Sequence, residues 1–149
     1  MSATTEPNTH LLQRTRDAVH PRCVICGPPS RNGLGVCFHT LGDGSVSAEF
    51  DCDFEYEGYD GMLHGGVISA LSDAAMANCL FARGIAAVTA ELNVRFRHPI
   101  RLGKPLTVTG TIIRDGRPVF VLQAELVQDG QLKAKATGKF MELPEDPQA

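Results

Sequence analysis

Leu63-His64-Gly65-Gly66-Val67-Ile68-Ser69-Ala70-Leu71-Ser72-Asp73-Ala74-Ala75-Met76-Ala77 is the stretch on which the fold of this chain turns. Helix-compatible residues run without proline from residue 65 to residue 83, and Gly84 supplies the stop. The segment is apolar nearly all round, so it belongs in a core with a sheet wrapped about it rather than on a surface. Asp73 is a lone carboxylate inside that run, and its apolar neighbours predict a group shielded from water and therefore reactive. His64-Gly65-Gly66 lies at the mouth of the helix. First-turn N–H groups have no intrahelical acceptor there, and glycine leaves them unhindered, free to donate to a carbonyl oxygen. Ser69, Ser72 and Asn78 are expected to bond back to helix carbonyls or to a partner helix rather than to line a pocket.

Working outward toward the N-terminus, residues 11–19 carry apolar positions at helical spacing, predicting a short N-terminal helix ended by His20-Pro21. Residues 36–41 and 45–54 read as a hairpin turned by Gly42-Asp43-Gly44, with Val46, Ala48, Phe50, Cys52 and Phe54 on its inner face. Beyond the central helix, strands are predicted at 86–98, 106–114, 118–128 and 131–143, joined by short connectors that include the hairpin dipeptide Asp129-Gly130. In the first of these, Val88, Ala90, Leu92, Val94 and Phe96 alternate with Thr89, Glu91, Asn93, Arg95 and Arg97. That period assigns the apolar set to the helix side and the polar set to the outside. The result is an α+β domain in which an antiparallel sheet of about six strands wraps one long central helix, with a short N-terminal helix added. Such a sheet has open edges, which predicts pairing with a second copy as a homodimer or homotetramer.

A length of 149 residues fits one domain over 1–149, with 1–8 and 144–149 expected to be flexible. With 14 Lys and Arg against 17 Asp and Glu, the net charge of −3 provides no field for nucleic acid, although a local cationic strip can still hold one phosphorylated ligand. No apolar run is long enough to span a membrane, and the N-terminus lacks the basic-then-apolar pattern of a signal peptide, so a cytoplasmic protein is expected. The odd set Cys23, Cys26, Cys37, Cys52 and Cys79 reads as reduced thiols rather than a disulfide framework. Cys23-Val24-Ile25-Cys26-Gly27 has the knuckle spacing of zinc ligands, and His20, Cys37 and His39 are near in sequence. With no second pair following, a packing role is the favoured reading and no metal is assigned. A Gly-x-Ser-x-Gly elbow is missing, which argues against a serine nucleophile of the α/β-hydrolase type.

Leu63-His64-Gly65-Gly66 with Asp73 nine positions after His64, then Thr89-Ala90-Glu91-Leu92-Asn93-Val94 and Phe96-Arg97-His98-Pro99 with Gly103 after the turn, resembles the hotdog-fold acyl-CoA thioesterases. The likeness is to the branch that includes the phenylacetate-degradation thioesterases, and it runs from Val36 to Met141. It implies a hotdog fold, an acyl-CoA substrate, no cofactor, and a site at a dimer interface where the His-Gly-Gly loop of one subunit faces the helical carboxylate of the other. Carried over residue by residue, it makes Asp73 the general base or nucleophile and the Gly65 N–H the donor to the thioester carbonyl. His64 contacts that carbonyl or holds the loop, and Thr89 positions the attacking water. Gly66, Asn93, Arg95, Arg97 and His98 are expected to bind substrate, the cations among them forming an arm with Arg101 and Lys104 for coenzyme A phosphates. Tyr59, Met62, Met76 and Phe81 are expected at the end of the acyl pocket. Some relatives carry Asn shortly before the His, where this chain reads Glu57-Gly58-Tyr59-Asp60-Gly61. The other reading is a non-catalytic acyl-CoA binding or sensing module on the same fold, in which Asp73 is incidental.

Overall fold

The computed structural model describes residues 8–144. The ends expected to be flexible lie outside these residues apart from Asn8 and Pro144, and Asn8 is built into the fold: its side chain accepts the Leu11 N–H at 2.7 Å and caps helix α1, Thr9–Val19. Strands β1 (His39–Thr40) and β2 (Val46–Asp51) precede the central helix α2 (Gly65–Phe81). Strands β3 (Ala87–Phe96), β4 (Pro105–Gly116), β5 (Val119–Gln128) and β6 (Gln131–Glu142) follow it. All six strands form one antiparallel sheet in the order β1-β2-β4-β5-β6-β3. This is the α+β arrangement of a sheet curled about one helix. No described helix is long and apolar enough to cross a membrane.

Local chemistry sets the ends of α2. Gly84, at φ +74°, closes it: the Gly84 N–H donates to Phe81 O and the Ile85 N–H reaches back to Leu80 O, satisfying carbonyls the last turn leaves over. Ser69, Ser72 and Asn78 bond to the carbonyls of Gly65, Ile68 and Ala74 as expected. The C-terminal half of the helix is buried, with Met76, Leu80 and Phe81 at 1 % exposure or less. Each such side chain contributes about 1.5–3 kcal/mol through removal from water. The Asp129-Gly130 turn has both residues at positive φ, 53° and 73°, the geometry that matches a tight two-residue hairpin.

Close approach of sheet to helix depends on Gly110 in β4. A Cβ built there would stand 2.4 Å from the backbone oxygen of Ala75, which cannot move without disturbing α2. Gly110→Ala is therefore expected to cost about 3 kcal/mol in chemical unfolding, at the upper end of overpacking effects. Gly138→Ala in β6 meets the Phe140 ring at 3.0 Å and the flexible end of Met76 at 3.1 Å, side chains rather than backbone, and should cost less.

Three expectations need correction. The first hairpin arm does not run from residue 36: Leu34 and Val36 donate backbone N–H groups to Val24 and Ile25, so this segment is claimed by the Cys23–Gly27 turn and β1 is left with two residues. Phe54 is not on the inner face; the chain leaves the sheet after Asp51 and turns through a single 3-10 turn, leaving Phe54 73 % exposed. The third concerns β3. Its pairing with β6 shifts between Thr89 and Glu91, so Ala90 is an unpaired bulge residue. Thr89 lies opposite the buried Phe140 and therefore faces the helix, while Val88 faces outward at 48 % exposure. Past the bulge the predicted phase holds, with Leu92, Val94 and Phe96 on the helix side and Glu91, Asn93 and Arg95 outside.

Candidate active site

The loop before α2 is tied down by its backbone. Leu63 N–H donates to Ile100 O, His64 N–H to Tyr56 O and Leu102 N–H to Gly61 O, which joins this loop to the β3–β4 connection. Glu57 accepts the Gly61 N–H at 2.7 Å and closes the turn before His64. His64 is the N-cap of α2, and its Nδ1 accepts the Gly66 N–H at 2.8 Å. That contact holds the helix start, and it uses up the Gly66 donor. Gly66 is also glycine for a packing reason, because a Cβ there would stand 3.0 Å from the imidazole. Gly65, between them, is exposed, and among the described residues no acceptor takes its N–H. It combines an unpaired donor with the positive end of a helix dipole.

Asp73 stands two turns further along the same helix. It is half-buried rather than fully shielded, because α2 turns one face of its N-terminal half away from the sheet. Thr89 Oγ1 donates to Asp73 Oδ1 at 2.5 Å. The bulge at Ala90 is what turns Thr89 toward the carboxylate; unbroken alternation places it outside. One carboxylate oxygen is held by this bond, and the other is left for a second donor. Gly66, Ser69, Ala70 and Asp73 form the exposed or half-buried stripe of the helix, at the three- and four-residue spacing of one face. β3 runs beside it with a free edge that also exposes Leu92 and Phe96.

Helix geometry separates Gly65 from Asp73 by about 12 Å within the chain. No single carbonyl group reaches both. Around Gly65 lies a cavity of about 390 Å³ lined by Tyr59, Met62, Ile68, Phe96, Arg97 and His98 among others. Tyr59 and Met62 border this cavity, whereas Met76 and Phe81 are buried in the core beyond Asp73, with Phe81 against His20 at the far end of α2. On the outer face of the sheet, Asn93, Arg95, Arg97, Lys135 and Thr137 line a polar groove that meets this cavity at Arg97. Lys133 sits where the β5–β6 register shifts, and its carbonyl accepts the N–H groups of Arg97 and His98. Among the described residues, none of Arg95, Arg97, Lys133 and Lys135 is in an ion pair. Lys104, by contrast, is engaged by Asp129 at 2.8 Å, and the backbone of Arg101 is held at both N–H and C=O by the Gln128 amide. Cations from β6 thus lie beside those of β3 on this face. Alternation in β6 marks Lys135 as outward, but only the strand order puts it beside Arg95.

Cysteine nucleophiles are remote from this site. Burial pushes the Cys79 thiol up to about 11, and burial followed by the Asp51 and Asp53 charges does the same for Cys52, so both are protonated at neutral pH. Cys23 is shifted far down, first by the hydrogen bond from the Cys26 thiol, which is pushed up in turn, and His20 is raised chiefly by its bond with Cys23.

The model of the thioesterase superfamily matches residues 60–135, more than half of the chain and the whole span from the His64 loop into the first residues of β6. The bovine (Bos taurus) acyl-coenzyme A thioesterase THEM4 is 32 % identical over 94 residues, which cover 62 % of this chain but only 38 % of that protein. Among solved structures, the phenylacetic acid degradation-related protein of Ralstonia eutropha JMP134 is 26 % identical with a TM-score of 0.71, covering 88 % of this chain and 98 % of that one. A Streptococcus mutans UA159 protein solved bound to acetyl CoA is 25 % identical with a TM-score of 0.66, covering 70 % and 86 %. The matched span contains Gly65, Asp73 and Thr89 together with the strands that frame them, and on that basis the chain belongs to the thioesterase superfamily and carries its hotdog fold.

Proposed function

We propose that the protein is a cytoplasmic acyl-CoA thioesterase whose site is completed across a homodimer two-fold axis. The observation that carries this reading is the placement of Gly65 and Asp73 on one exposed face of one helix, about 12 Å apart, beside the unpaired edge of a ten-residue strand. An isologous contact centred near Ser69, midway between them, pairs Gly65 of each subunit with Asp73 of the other. The small residues Gly66, Ser69 and Ala70 let two helices approach closely, and the free β3 edges offer backbone pairing in the same contact. The relatives' acyl-CoA names and the acetyl CoA bound by the Streptococcus mutans protein support the substrate class. Free cysteines fit a reducing compartment.

In this reading the thioester carbonyl accepts the Gly65 N–H, which strengthens as negative charge develops on the oxygen. Asp73 takes a proton from water through the carboxylate oxygen that Thr89 leaves free, and the water oxygen bonds to the carbonyl carbon. The Thr89 oxygen keeps lone pairs with which to orient that water. Collapse of the tetrahedral adduct breaks the C–S bond. A thiol has an intrinsic pKa of about 8.5 and leaves without strong acid assistance, so one base and one oxyanion donor suffice. If Asp73 instead attacks directly, an anhydride forms and water hydrolyses it; the same residues serve both courses. His64 holds the donor in place, Phe96 and Tyr59 line the acyl side, and Arg95, Arg97, His98, Lys133 and Lys135 with Asn93 face the phosphates of coenzyme A.

Hydrolysis of a panel of aliphatic and aryl acyl-CoA thioesters, followed by release of free thiol, tests the activity. Turnover of at least one class is expected. Tight binding across the panel with no thiol release contradicts the reading and identifies a binding or sensing module.

A further inference from the structure

The Cys23–Gly27 turn takes no part in this chemistry, yet it is built with care. Gly27 N–H donates to Cys23 O at 2.8 Å, and a Cβ at Gly27 would lie 2.4 Å from that oxygen, so only glycine closes the turn. The closure aims the amides of Ile25 and Cys26 at Cys23 Sγ, at 3.4 and 3.5 Å. Two N–H donors on one sulfur are an environment for a thiolate, and bonds of this kind orient and tune sulfur ligands of metals. The segment 34–36 then clamps the turn through Leu34, Gly35 and Val36 N–H bonds to Val24, Gly27 and Ile25.

His20 is held over the same turn. It caps α1 through its N–H to Arg16 O, and its ring packs edge-on against Phe81, with centroids 5.0 Å apart. This leaves Nδ1 3.8 Å from Cys26 Sγ. One ligand atom each from His20, Cys23 and Cys26 falls within 4.8 Å of the others. Tetrahedral zinc with ordinary Zn–S and Zn–N bonds needs its ligand atoms about 3.5–3.8 Å apart, so small inward movements of these side chains suffice. The free side of the triad opens on a cavity lined by His20, Cys26, Asp17 and Cys37. Behind it, the fully buried Asn78 of α2 lies against Cys26 and has an amide oxygen with no partner.

We propose that His20, Cys23 and Cys26 bind a structural Zn²⁺ whose fourth position faces the cavity that Cys37 also lines. Two sulfurs and an imidazole nitrogen are a soft, tetrahedral donor set that selects zinc over magnesium or calcium. No electron moves on binding. Zinc takes the imidazole lone pair and both thiolates, and any thiol proton still present is released to solvent. The last turn of α2 lies about 24 Å along the helix from Gly65, so the metal is outside the reacting centre. It ties the end of α1 and the 23–36 segment to the C-terminal turn of α2. Sequence spacing alone favoured a packing role for this Cys pair because no second pair follows it; the missing ligand is supplied instead by His20, from the end of the preceding helix.

The full chain, purified under reducing conditions without chelator, is expected to carry about one zinc per chain by elemental analysis. Chelation should lower the melting temperature by at least about 5 °C, and added Zn²⁺, but not Mg²⁺, should restore it. Reconstitution with Co²⁺ should give thiolate-to-cobalt charge transfer and the intense visible bands of a tetrahedral site. Cys23→Ser and Cys26→Ser should lose the charge-transfer signal, while Cys52→Ser keeps it. The cobalt spectrum of the unmodified protein decides the matter even where a serine variant does not fold. Failure of the reduced protein to take up zinc or cobalt overturns the proposal, as does a Cys23–Cys26 disulfide that persists under reductant.

Discussion

Asp73→Ala is expected to reduce kcat for acyl-CoA hydrolysis by about 10²- to 10⁴-fold, the range over which a positioned general base acts. KM should change little, because a base that acts on water in the transition state contributes nothing to ground-state binding; kcat and kcat/KM then fall together. The fold should survive. Asp73 is half-buried and, among the described residues, its hydrogen-bond partner is the exposed Thr89 hydroxyl, so removal strands no deeply buried polar group. Asp73→Asn keeps the volume and an acceptor for Thr89, and it should be as inactive as the alanine variant, since an amide takes no proton and makes no anhydride. Full turnover by either variant, measured as thiol release, removes Asp73 from the chemistry.

Gly65→Pro is the second large effect, with an expected loss of about 10²- to 10³-fold in kcat from removal of one oxyanion donor. Proline is suited to this position as a probe. Gly65 is the first residue of α2, where proline is well tolerated because its missing N–H has no helical acceptor. His64 before it has φ −62° and ψ 135°, the extended backbone that precedes proline readily. A Cβ at Gly65 meets nothing closer than the Phe96 ring at 3.7 Å, ordinary contact. Gly65→Ala fills the same space and keeps the N–H, so it should retain most of the turnover that Gly65→Pro loses. Equal loss in both variants assigns the effect to crowding rather than to the hydrogen bond.

Features governed by neighbouring residues were readable before the structure. Proline-free apolar sequence up to Gly84 gave α2 within two residues of its last turn, and Asp129-Gly130 gave the β5–β6 hairpin, because both depend on backbone preferences of the residues themselves. The bulge at Ala90 was not readable. Thr89-Ala90-Glu91 contains no glycine or proline, and the alternation on either side of it looks continuous. Its effect is nonetheless decisive, since it brings Thr89 to Asp73. Pairings between distant segments were equally hidden. Lys133 and Lys135 join Arg95 and Arg97 only because β6 lies between β5 and β3, and the strand expected at 36–38 is lost because residues 34–36 pair with the cysteine turn. Depth was misjudged for Met76 and Phe81 for the same reason: a helix apolar all round does not reveal which of its turns the sheet covers.

The central claim is that each reacting centre takes its donor from one subunit and its acid from the other, and co-assembly of the two inactive variants addresses it directly. Asp73→Ala and Gly65→Pro chains are co-expressed with different tags, and the mixed dimers are assayed for acyl-CoA hydrolysis. Random assortment makes half of the dimers mixed, each with one restored site of two, so total activity should rise from the residual level of either variant to about a quarter of that of the unmodified protein. Activity that stays at the residual level in dimers shown to be mixed means that Gly65 and Asp73 do not meet across an interface, and the account fails.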